Sequence, residues 1–231
     1  MNIQGLQKLT LLDYPGHVAC TVFLGSCNFR CPFCHNALLV TREDENVGGM
    51  TDEELFAFLR KRRGILDGVC ITGGEPLLTE EVVDFIRKIK EIGYKVKLDT
   101  NGSFPAKLKA ILEEGLVDYV AMDVKNTFDK YGETIGIDGY KTDRVRESIE
   151  LLKNGKTPFE FRTTLVKELH TSKDLEEIAK AIEGCDRYFL QKFIDSGNLI
   201  GSGLSEIPKE NALEMLEIVK KYIPNADLRG Y

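Results

Sequence analysis

The chain has 231 residues, of which 42% are hydrophobic, so it is long enough to bury a core of its own. Its formal net charge of −6 gives no electrostatic support for non-specific binding to nucleic acid. The first residues lack the basic and apolar regions of a secretory signal peptide, and no apolar run approaches the length of a membrane span. We therefore expect a cytoplasmic protein with no membrane and no nucleic-acid partner, in a compartment that keeps thiols reduced.

Short apolar segments rich in β-branched and aromatic residues alternate along the chain with segments of helical periodicity. The predicted strands are His17–Leu24, Gly68–Thr72, Lys95–Asp99, Asp118–Asp123, Phe159–Leu165 and Arg187–Phe193. The predicted helices begin at Thr51, at Thr79 and at Pro105, the last ending near Gly115, and span Arg144–Lys153, Ser172–Ile182 and Lys209–Tyr222.

Six βα units in series predict an α/β fold with a parallel sheet and right-handed crossovers. Two layouts fit this pattern, an open doubly wound sheet and an incomplete barrel that is curved but not closed, and periodicity does not separate them. In either layout, functional groups should lie just past the carboxyl ends of the strands. No repeat or clear linker is present, so a single domain over residues 1–231 is predicted. The Gly- and Ser-rich segment Asp195–Ser205 reads as a mobile flap or as a simple connection.

Three cysteines with the spacing C-x₃-C-x₂-C, namely Cys27, Cys31 and Cys34, directly follow the first predicted strand. Three thiolates this close can converge on one soft metal centre. They are one too few for a four-iron cubane, whose irons normally take four cysteines. A cluster held here would leave one iron open to a ligand from outside the protein, which is typical of a reactive site. The other cysteines are scattered and are expected to be buried as small hydrophobic residues: Cys20, Cys70 and Cys185.

Four other interpretations of the cysteines stay open at this point. Zinc could bind with His35 as a fourth ligand, although structural zinc sites usually use two separated pairs. The C-x-x-C-H run from Cys31 to His35 matches haem attachment, which needs export. A dithiol redox motif would leave Cys27 unexplained, and a chance grouping is the fourth interpretation.

The second predicted strand ends in ITGGEP, which includes Gly73, Gly74 and Glu75. The glycines would let a ligand approach the backbone closely, and Glu75 offers a carboxylate to a cation such as an amino group. Alone, this run could be only a turn. Combined with the cysteine motif, it resembles the radical S-adenosylmethionine (SAM) enzymes. The resemblance implies a partial (β/α)₆ barrel of parallel strands that is open on one side. It also implies a [4Fe–4S] cluster on the three cysteines, with the methionine amino group of SAM bound by Gly73, Gly74 and Glu75.

Two further strand ends resemble the activating enzymes of glycyl-radical proteins within that superfamily. The third strand runs into Asp99-Thr-Asn101-Gly, and the fourth into Asp123-Val-Lys125. In those enzymes, polar groups of the first segment reach the amino acid or ribose of SAM, and the lysine approaches the methionine carboxylate or the substrate. Taken alone, the first segment would be a turn and Lys125 a solvated surface amine.

The segment Lys8–Gly16 is similar to one that precedes the first strand in activating proteins of the anaerobic ribonucleoside-triphosphate reductase kind. The alternative interpretation of Asp13–Gly16 is a turn before a strand. Some relatives carry further cysteines after the motif, whereas Ala37–Val69 has none, so one cluster is expected. Arg162 and Gln191 lie within predicted strands and are expected to face a polar barrel interior.

The resemblance implies an activase that reductively cleaves SAM and generates a glycyl radical on a partner enzyme. The expected partner is an anaerobic ribonucleotide reductase or a pyruvate formate-lyase-like protein. A low-potential electron donor such as flavodoxin or ferredoxin would be needed. Two alternatives are a radical SAM enzyme acting on a small molecule, similar to 7-carboxy-7-deazaguanine synthase, and a non-catalytic zinc or iron–sulfur module.

Overall fold

The computed structural model describes residues 1–41 and 49–231. Its framework is one eight-stranded sheet in which the strands lie side by side in chain order. The strands are β1 (Ile3–Thr10), β2 (Ala19–Leu24), β3 (Gly68–Gly73), β4 (Lys95–Thr100), β5 (Tyr119–Asp123), β6 (Phe159–Leu165), β7 (Tyr188–Lys192) and β8 (Ala226–Arg229). Neighbours from β2 to β8 pair in parallel, whereas β1 pairs antiparallel with β2.

The strand order decides between the two layouts. A doubly wound sheet reverses its strand order at a switch point, whereas this order runs from β1 to β8 without a reversal. β1 and β8 form the two edges and do not pair with each other, so the sheet is not closed. The partial barrel of mostly parallel strands, open on one side, is confirmed.

The prediction of six parallel strands is wrong at the two edges of the sheet. The central six strands are confirmed within two residues at each end, but β1 and β8 are missed. β1 has the sequence IQGLQKLT. As an edge strand it is partly exposed to solvent, so it contains polar and glycine residues that interrupt the alternation of apolar and polar residues expected of a strand. β8 has only four residues, ADLR, two of them charged. The residue pattern of neither segment differs enough from that of a loop to predict a strand.

Eight α-helices occur within the described residues. They are α1 (Ala37–Thr41), α2 (Asp52–Arg62), α3 (Val82–Ile92), α4 (Pro105–Glu113), α5 (Tyr131–Ile135), α6 (Asp143–Lys153), α7 (Ser172–Ala181) and α8 (Lys209–Lys220). Thr51 caps α2, and its capping box with Glu54 is complete, as the sequence predicts. Pro105 is the first residue of α4, where the missing N–H costs nothing.

The predicted helix start at Thr79 is wrong. A short 3₁₀ helix, Pro76–Leu78, follows β3 directly, and Thr79 ends it. The Thr79 hydroxyl donates to the carbonyl of Pro76 at 3.2 Å, so it faces back into that turn and does not cap a helix. α3 begins only at Val82.

The two faces of the sheet differ in chemistry. Side chains alternate between faces along a strand, and in β4 the buried Val96 and Leu98 alternate with Lys97 and Asp99. The apolar set packs under the helices and forms the core, while the charged set faces the barrel interior. The scattered cysteines are buried as expected: Cys20, Cys70 and Cys185.

None of the helices in residues 1–41 and 49–231 combines the length and the apolar character needed to cross a bilayer.

The edge strand β8 is attached to the barrel interior by an ion pair. The two terminal nitrogens of Arg229 lie 2.8 and 3.1 Å from the two carboxylate oxygens of Glu160 on β6. Glu160 is fully buried and also accepts from the Tyr119 hydroxyl at 3.0 Å. A buried carboxylate needs such partners, because an unpaired charge in the interior is strongly unfavourable.

We predict that Arg229→Ala lowers the free energy of unfolding by about 2 kcal/mol, because it removes the cation that is hydrogen-bonded to the buried Glu160 carboxylate. Urea denaturation of the purified variant measures the change. The matched control is Lys109→Ala, which breaks an exposed ion pair with Glu113 and should change stability little. Equal effects of the two substitutions would contradict this account of β8.

Candidate functional site

The carboxyl ends of the parallel strands surround a cavity of about 510 Å³ in the barrel interior. Eight of the nine residues predicted from the sequence line this cavity, and Glu75 does not. The eight are Cys27, Cys31, Cys34, Gly73, Gly74, Asp99, Asn101 and Lys125. Residues from four separate strand ends therefore meet in one place.

The three cysteines lie on the loop between β2 and α1, which we call the cysteine loop (residues 25–36). The Cys34 N–H donates to the Cys31 carbonyl at 3.0 Å and closes a turn between them. The Phe29 N–H points at the Cys27 sulfur, 3.4 Å away. Ser26, just before Cys27, is the one non-glycine residue with positive φ in the described parts of the chain, at 70°.

Other strand-end loops hold the cysteine loop in place. The Arg30 N–H donates to the carbonyl of Ile135 at 2.9 Å, at the end of α5. The Gly201 N–H donates to the carbonyl of Pro32 at 2.8 Å. A Cβ atom on Gly201 would lie 2.6 Å from the Cβ of Pro32, so these two segments of the chain are in direct contact. The segment Asp195–Ser205 is thus attached at its middle to the cysteine loop.

The cysteine thiols are largely withdrawn from water. Burial raises the pKa of Cys27 to about 11 and that of Cys31 to about 12, and it also raises the pKa of Cys34. Lys125 acts in the opposite direction on all three thiols. Thiolates in this loop therefore need cationic charge close by, and bound metal ions supply it as they displace the thiol protons.

Zinc and an iron–sulfur cluster need different arrangements of donor atoms. Within residues 1–41 and 49–231, no group of three or more His, Cys, Asp or Glu side chains is arranged to hold a metal ion. Zinc needs four donors that converge at about 2.0–2.3 Å, and zinc with His35 as fourth ligand stays an untested interpretation. Iron–sulfur clusters are held by cysteine thiolates, one on each iron that the protein binds. Three cysteine side chains around one cavity, with a backbone N–H directed at one sulfur, fit such a group.

Gly73 and Gly74 lie where the end of β3 crosses the start of the cysteine loop. The Gly74 N–H donates to the Leu24 carbonyl at 2.8 Å, and the Glu75 N–H donates to the Ser26 carbonyl at 2.9 Å. A Cβ atom on Gly73 would overlap the Leu24 carbonyl oxygen, and one on Gly74 would overlap that of Ser26. The protein's own backbone occupies the Cβ side of both residues, while both also line the cavity, so the approach of a ligand to their backbone stays a prediction.

The Glu75 side chain lies beneath the turn that follows β4. It is 2% exposed and accepts from the Thr100 hydroxyl at 2.7 Å, the Asn101 N–H at 2.6 Å and the Leu77 N–H at 3.1 Å. Burial raises the pKa of Glu75 to about 7, although these three hydrogen bonds lower it. Glu75 thus connects the end of β3 to the Asn101 turn, and its direct contact with an amino group stays a prediction.

Asn101 links the β4 turn to the cysteine loop. Its side-chain nitrogen lies 3.0 Å from the side-chain oxygen of Asn28 and 3.9 Å from the Cys27 sulfur. Its oxygen accepts from the Ser103 N–H at 3.0 Å, which fixes the orientation of the amide. Asn28 in turn donates to the Ser103 hydroxyl at 2.9 Å. The cysteine loop and the Asn101 turn therefore form one hydrogen-bonded unit.

A chain of charged side chains crosses the cavity wall from β4 to β6. Arg162 lies between two carboxylates, with Nη1 3.1 Å from Asp99 and Nε 2.8 Å from Asp123. Lys125 pairs with Asp123 at 2.9 Å, and Lys97 pairs with Asp99. Burial opposes ionisation of Asp123, but Arg162 and Lys125 outweigh it and hold its pKa below the ordinary value. Of these cations, Lys125 and Arg162 line the cavity, where the carboxylates of Asp13, Asp99 and Asp123 also lie, so the lining has no excess of positive charge.

These contacts revise what the sequence suggested for individual residues. Lys125 is not a solvated surface amine, because its side chain is 16% exposed and its amine lies 6.0 Å from the centre of the Phe33 ring. Arg162 and Gln191 line the cavity, as expected for a polar interior. Sequence reasoning missed Lys97, although a cation inside an apolar strand is the same signal that pointed to Arg162.

A sequence model of the radical SAM superfamily matches residues 21–182, from β2 to the end of α7. The chain belongs to the radical SAM superfamily. Membership makes it an enzyme and implies SAM and an iron–sulfur cluster as its cofactors. The matched range contains every residue predicted for the site.

Relatives of this radical SAM chain agree with that assignment. It is 37% identical over 237 residues to a Methanocaldococcus jannaschii protein described as a glycyl-radical enzyme activating enzyme, covering 98% of this chain and 95% of that protein. It is 32% identical over 148 residues to the pyruvate formate-lyase-activating enzyme of Clostridium pasteurianum, covering 61% of this chain and 56% of that enzyme. The crystal structure of Streptococcus suis SuiB bound to S-adenosylmethionine superposes with a TM-score of 0.68 at 17% identity, covering 89% of this chain and 48% of that one. At this identity, the superposition shows the fold alone.

We predict that Gly74→Ala sharply reduces the iron that the radical SAM chain retains after anaerobic reconstitution. The added Cβ would overlap the Ser26 carbonyl and push the cysteine loop out of place. Iron per chain after gel filtration measures the effect, and a several-fold loss is expected. The control is Gly5→Ala in β1, where the nearest atom to the new Cβ lies 3.6 Å away. Equal iron in both variants would contradict the proposed packing role of Gly74.

Proposed function

We propose that this radical SAM enzyme is an activase that generates a glycyl radical on a partner enzyme. The observation that carries the proposal is the meeting of the cysteine loop with the charged strand ends in one cavity of an open-sided barrel. The likeness to a glycyl-radical enzyme activating enzyme over nearly the whole chain supports the same reaction class. When bound, a reduced [4Fe–4S] cluster would supply one electron for the cleavage of SAM to methionine and a 5′-deoxyadenosyl radical. That radical would take a hydrogen atom from the Cα of a partner glycine and become 5′-deoxyadenosine.

The cysteine loop would hold the cluster. Cys27, Cys31 and Cys34 supply three thiolates, and the Phe29 N–H donates to the Cys27 sulfur, which stabilises negative charge there. The sequence from Ala37 to Val69 contains no further cysteine, so we propose a single cluster. The tie between Asn101 and Asn28 keeps the loop aligned with the rest of the cavity.

The strand ends beside the loop would bind the amino-acid part of SAM. Asp99, Asp123, Arg162 and Lys125 line the cavity, and the Lys125 amine would attract a carboxylate placed beside it. Backbone groups of the Gly73–Gly74 turn lie at the same cavity and would receive the amino group. Glu75 would act mainly by holding the Asn101 turn, because its carboxylate already accepts three hydrogen bonds.

A protein substrate fits the open side of the barrel. β1 and β8 do not pair, so the sheet leaves a lateral gap through which a loop of another protein could reach the interior. We propose that residues 1–231 act as one domain on such a loop. The partner would be an anaerobic ribonucleotide reductase or a pyruvate formate-lyase-like protein, with a flavodoxin or ferredoxin as electron donor.

Anaerobic reconstitution tests the radical chemistry. We expect about four irons per chain and cleavage of SAM to methionine and 5′-deoxyadenosine on reduction. Cys31→Ala should abolish both, whereas Cys185→Ala, a buried cysteine outside the cavity, should keep both. A colourless zinc protein that leaves SAM intact would refute the proposed chemistry.

Electron paramagnetic resonance tests the substrate class. The reduced enzyme, SAM and a candidate glycyl-radical enzyme should together give the doublet of a glycyl radical. No doublet with several cognate partners, together with turnover of a 7-deazaguanine precursor, would instead favour a small-molecule substrate.

We also predict that Lys125→Ala weakens SAM binding by about tenfold, because one charge-assisted hydrogen bond is worth roughly 1.5–3 kcal/mol. Equilibrium dialysis with the reconstituted protein measures the dissociation constant. Lys88→Ala, which removes an exposed amine on α3, is the matched control and should leave the constant unchanged. Unchanged binding in the Lys125 variant would remove this residue from the cofactor pocket.

A further inference from the structure

Lys125 lies two residues beyond the end of β5, so no strand partner holds its backbone. Its N–H instead donates to the Tyr131 hydroxyl at 3.3 Å, and its carbonyl lies 2.9 Å from Nε2 of His170. Its amine reaches Asp123 at 2.9 Å. The place of the amine in the cavity therefore depends on residues from later in the chain.

His170 is a buried residue in the turn that follows β6. It is 2% exposed, and it is not among the residues that line the cavity. Its Nδ1 lies 3.1 Å from the Val166 nitrogen and 3.2 Å from the Val166 carbonyl oxygen, and its Nε2 faces the Lys125 carbonyl. The imidazole thus spans the space between its own turn and the segment after β5.

The contacts of the two ring nitrogens favour one form of the ring. A neutral imidazole protonated at Nε2 accepts from the Val166 N–H and donates to the Lys125 carbonyl, which satisfies both nitrogens. The other neutral tautomer would direct the Nε2 lone pair at a carbonyl oxygen. Burial lowers the pKa of His170, although the carbonyls of Lys125 and Val166 raise it, so the neutral ring is favoured.

Neighbouring contacts join the same two segments. The side-chain nitrogen of Asn126 donates to the Leu169 carbonyl at 3.0 Å, and the Thr163 hydroxyl donates to the Val124 carbonyl at 2.6 Å. These bonds hold the residues on either side of Lys125. The bond from His170 reaches the carbonyl of Lys125 itself, so it acts most directly on the direction of that side chain.

We propose that His170 is a positioning residue that fixes the Lys125 backbone so that the amine stays in the cavity. The proposal rests on the proposed function, in which Lys125 binds the anionic end of SAM. His170 would not touch the cofactor. It would keep the amine beside Asp123 and near the Phe33 ring of the cysteine loop.

Two substitutions separate the two bonds of the ring. In His170→Asn, the short side chain can accept from the Val166 N–H but ends short of Lys125. In His170→Gln, the amide is one carbon further out and can donate to the Lys125 carbonyl. We expect the Asn variant to weaken SAM binding by about tenfold and the Gln variant by less than about threefold. Equal weakening by both would overturn the proposal and leave His170 a plain packing residue.

A second readout follows the lysine without any cofactor. Competitive acetylation of the full-length protein, quantified by mass spectrometry, reports how firmly each amine is held. Lys125 should react several-fold faster in the Asn variant than in the natural protein, because its ion pair with Asp123 is loosened. Unchanged reactivity would overturn the proposal.

His17→Asn is the matched control for this readout. The Nε2 of His17 lies 3.0 Å from the amine of Lys95, near the amino-terminal end of the strands. Its substitution should change the labelling of Lys95 and leave that of Lys125 as it was. Faster labelling of Lys125 in this control would show a general loosening and would count against a specific role for His170.

The labelling also distinguishes failure of the proposed role of Lys125 from failure of the proposed role of His170. If Lys125→Ala leaves SAM binding unchanged, the assigned function of Lys125 fails, while the acetylation rates still decide whether His170 positions it. If the Asn variant does not fold, as judged by thermal unfolding, His170→Met fills the same space without a donor. Faster labelling of Lys125 is expected there too, and an unchanged rate contradicts the proposal.

Discussion

The backbone contact between the end of β3 and the cysteine loop is the constraint on which the site depends. Gly73 and Gly74 have no side chains, so two peptide segments meet with direct hydrogen bonds from Gly74 to Leu24 and from Glu75 to Ser26. Any larger residue at these positions would separate them. The contact fixes the height of the cysteine loop relative to the β4 turn, because the Glu75 side chain continues from the same junction to Thr100 and Asn101. One close approach thus aligns three loops.

The polar interior is the second condition. A sheet packed with helices on both sides would have apolar residues on both faces. Here the concave face carries Lys97, Asp99, Asp123 and Arg162, and each charge has an opposite partner on the same face of the sheet. Replacing a single member of such an arrangement lowers the stability of the fold, because the remaining charge would stay buried without a counter-ion.

Much of this could be predicted from the sequence, because the informative signals are local. The six central strands are continuous apolar runs, and the C-x₃-C-x₂-C and GGEP motifs lie directly at strand ends. The parts that could not be predicted depend on partners far away in the chain. β8 is held by an ion pair between residues that are 69 positions apart in the sequence, and His170 contacts Lys125, which is 45 positions away. Glu75 shows a third case: its motif was found, but the sequence could not tell that its carboxylate is already engaged by Thr100 and Asn101.

The missing pairing between β1 and β8 has a topological consequence. A closed barrel is a ring, and a chain can reach its interior only by its free end or as a hairpin pushed through one mouth. A sheet with two free edges is a slot, into which the middle of a chain can be laid sideways while both of its ends stay attached to a folded body. A glycine in the interior of another protein's sequence has two such attached ends. Because the edge strands of this sheet are unpaired, the internal glycine of the proposed partner would need only to be placed beside the open side of the barrel and would not have to pass through a closed ring.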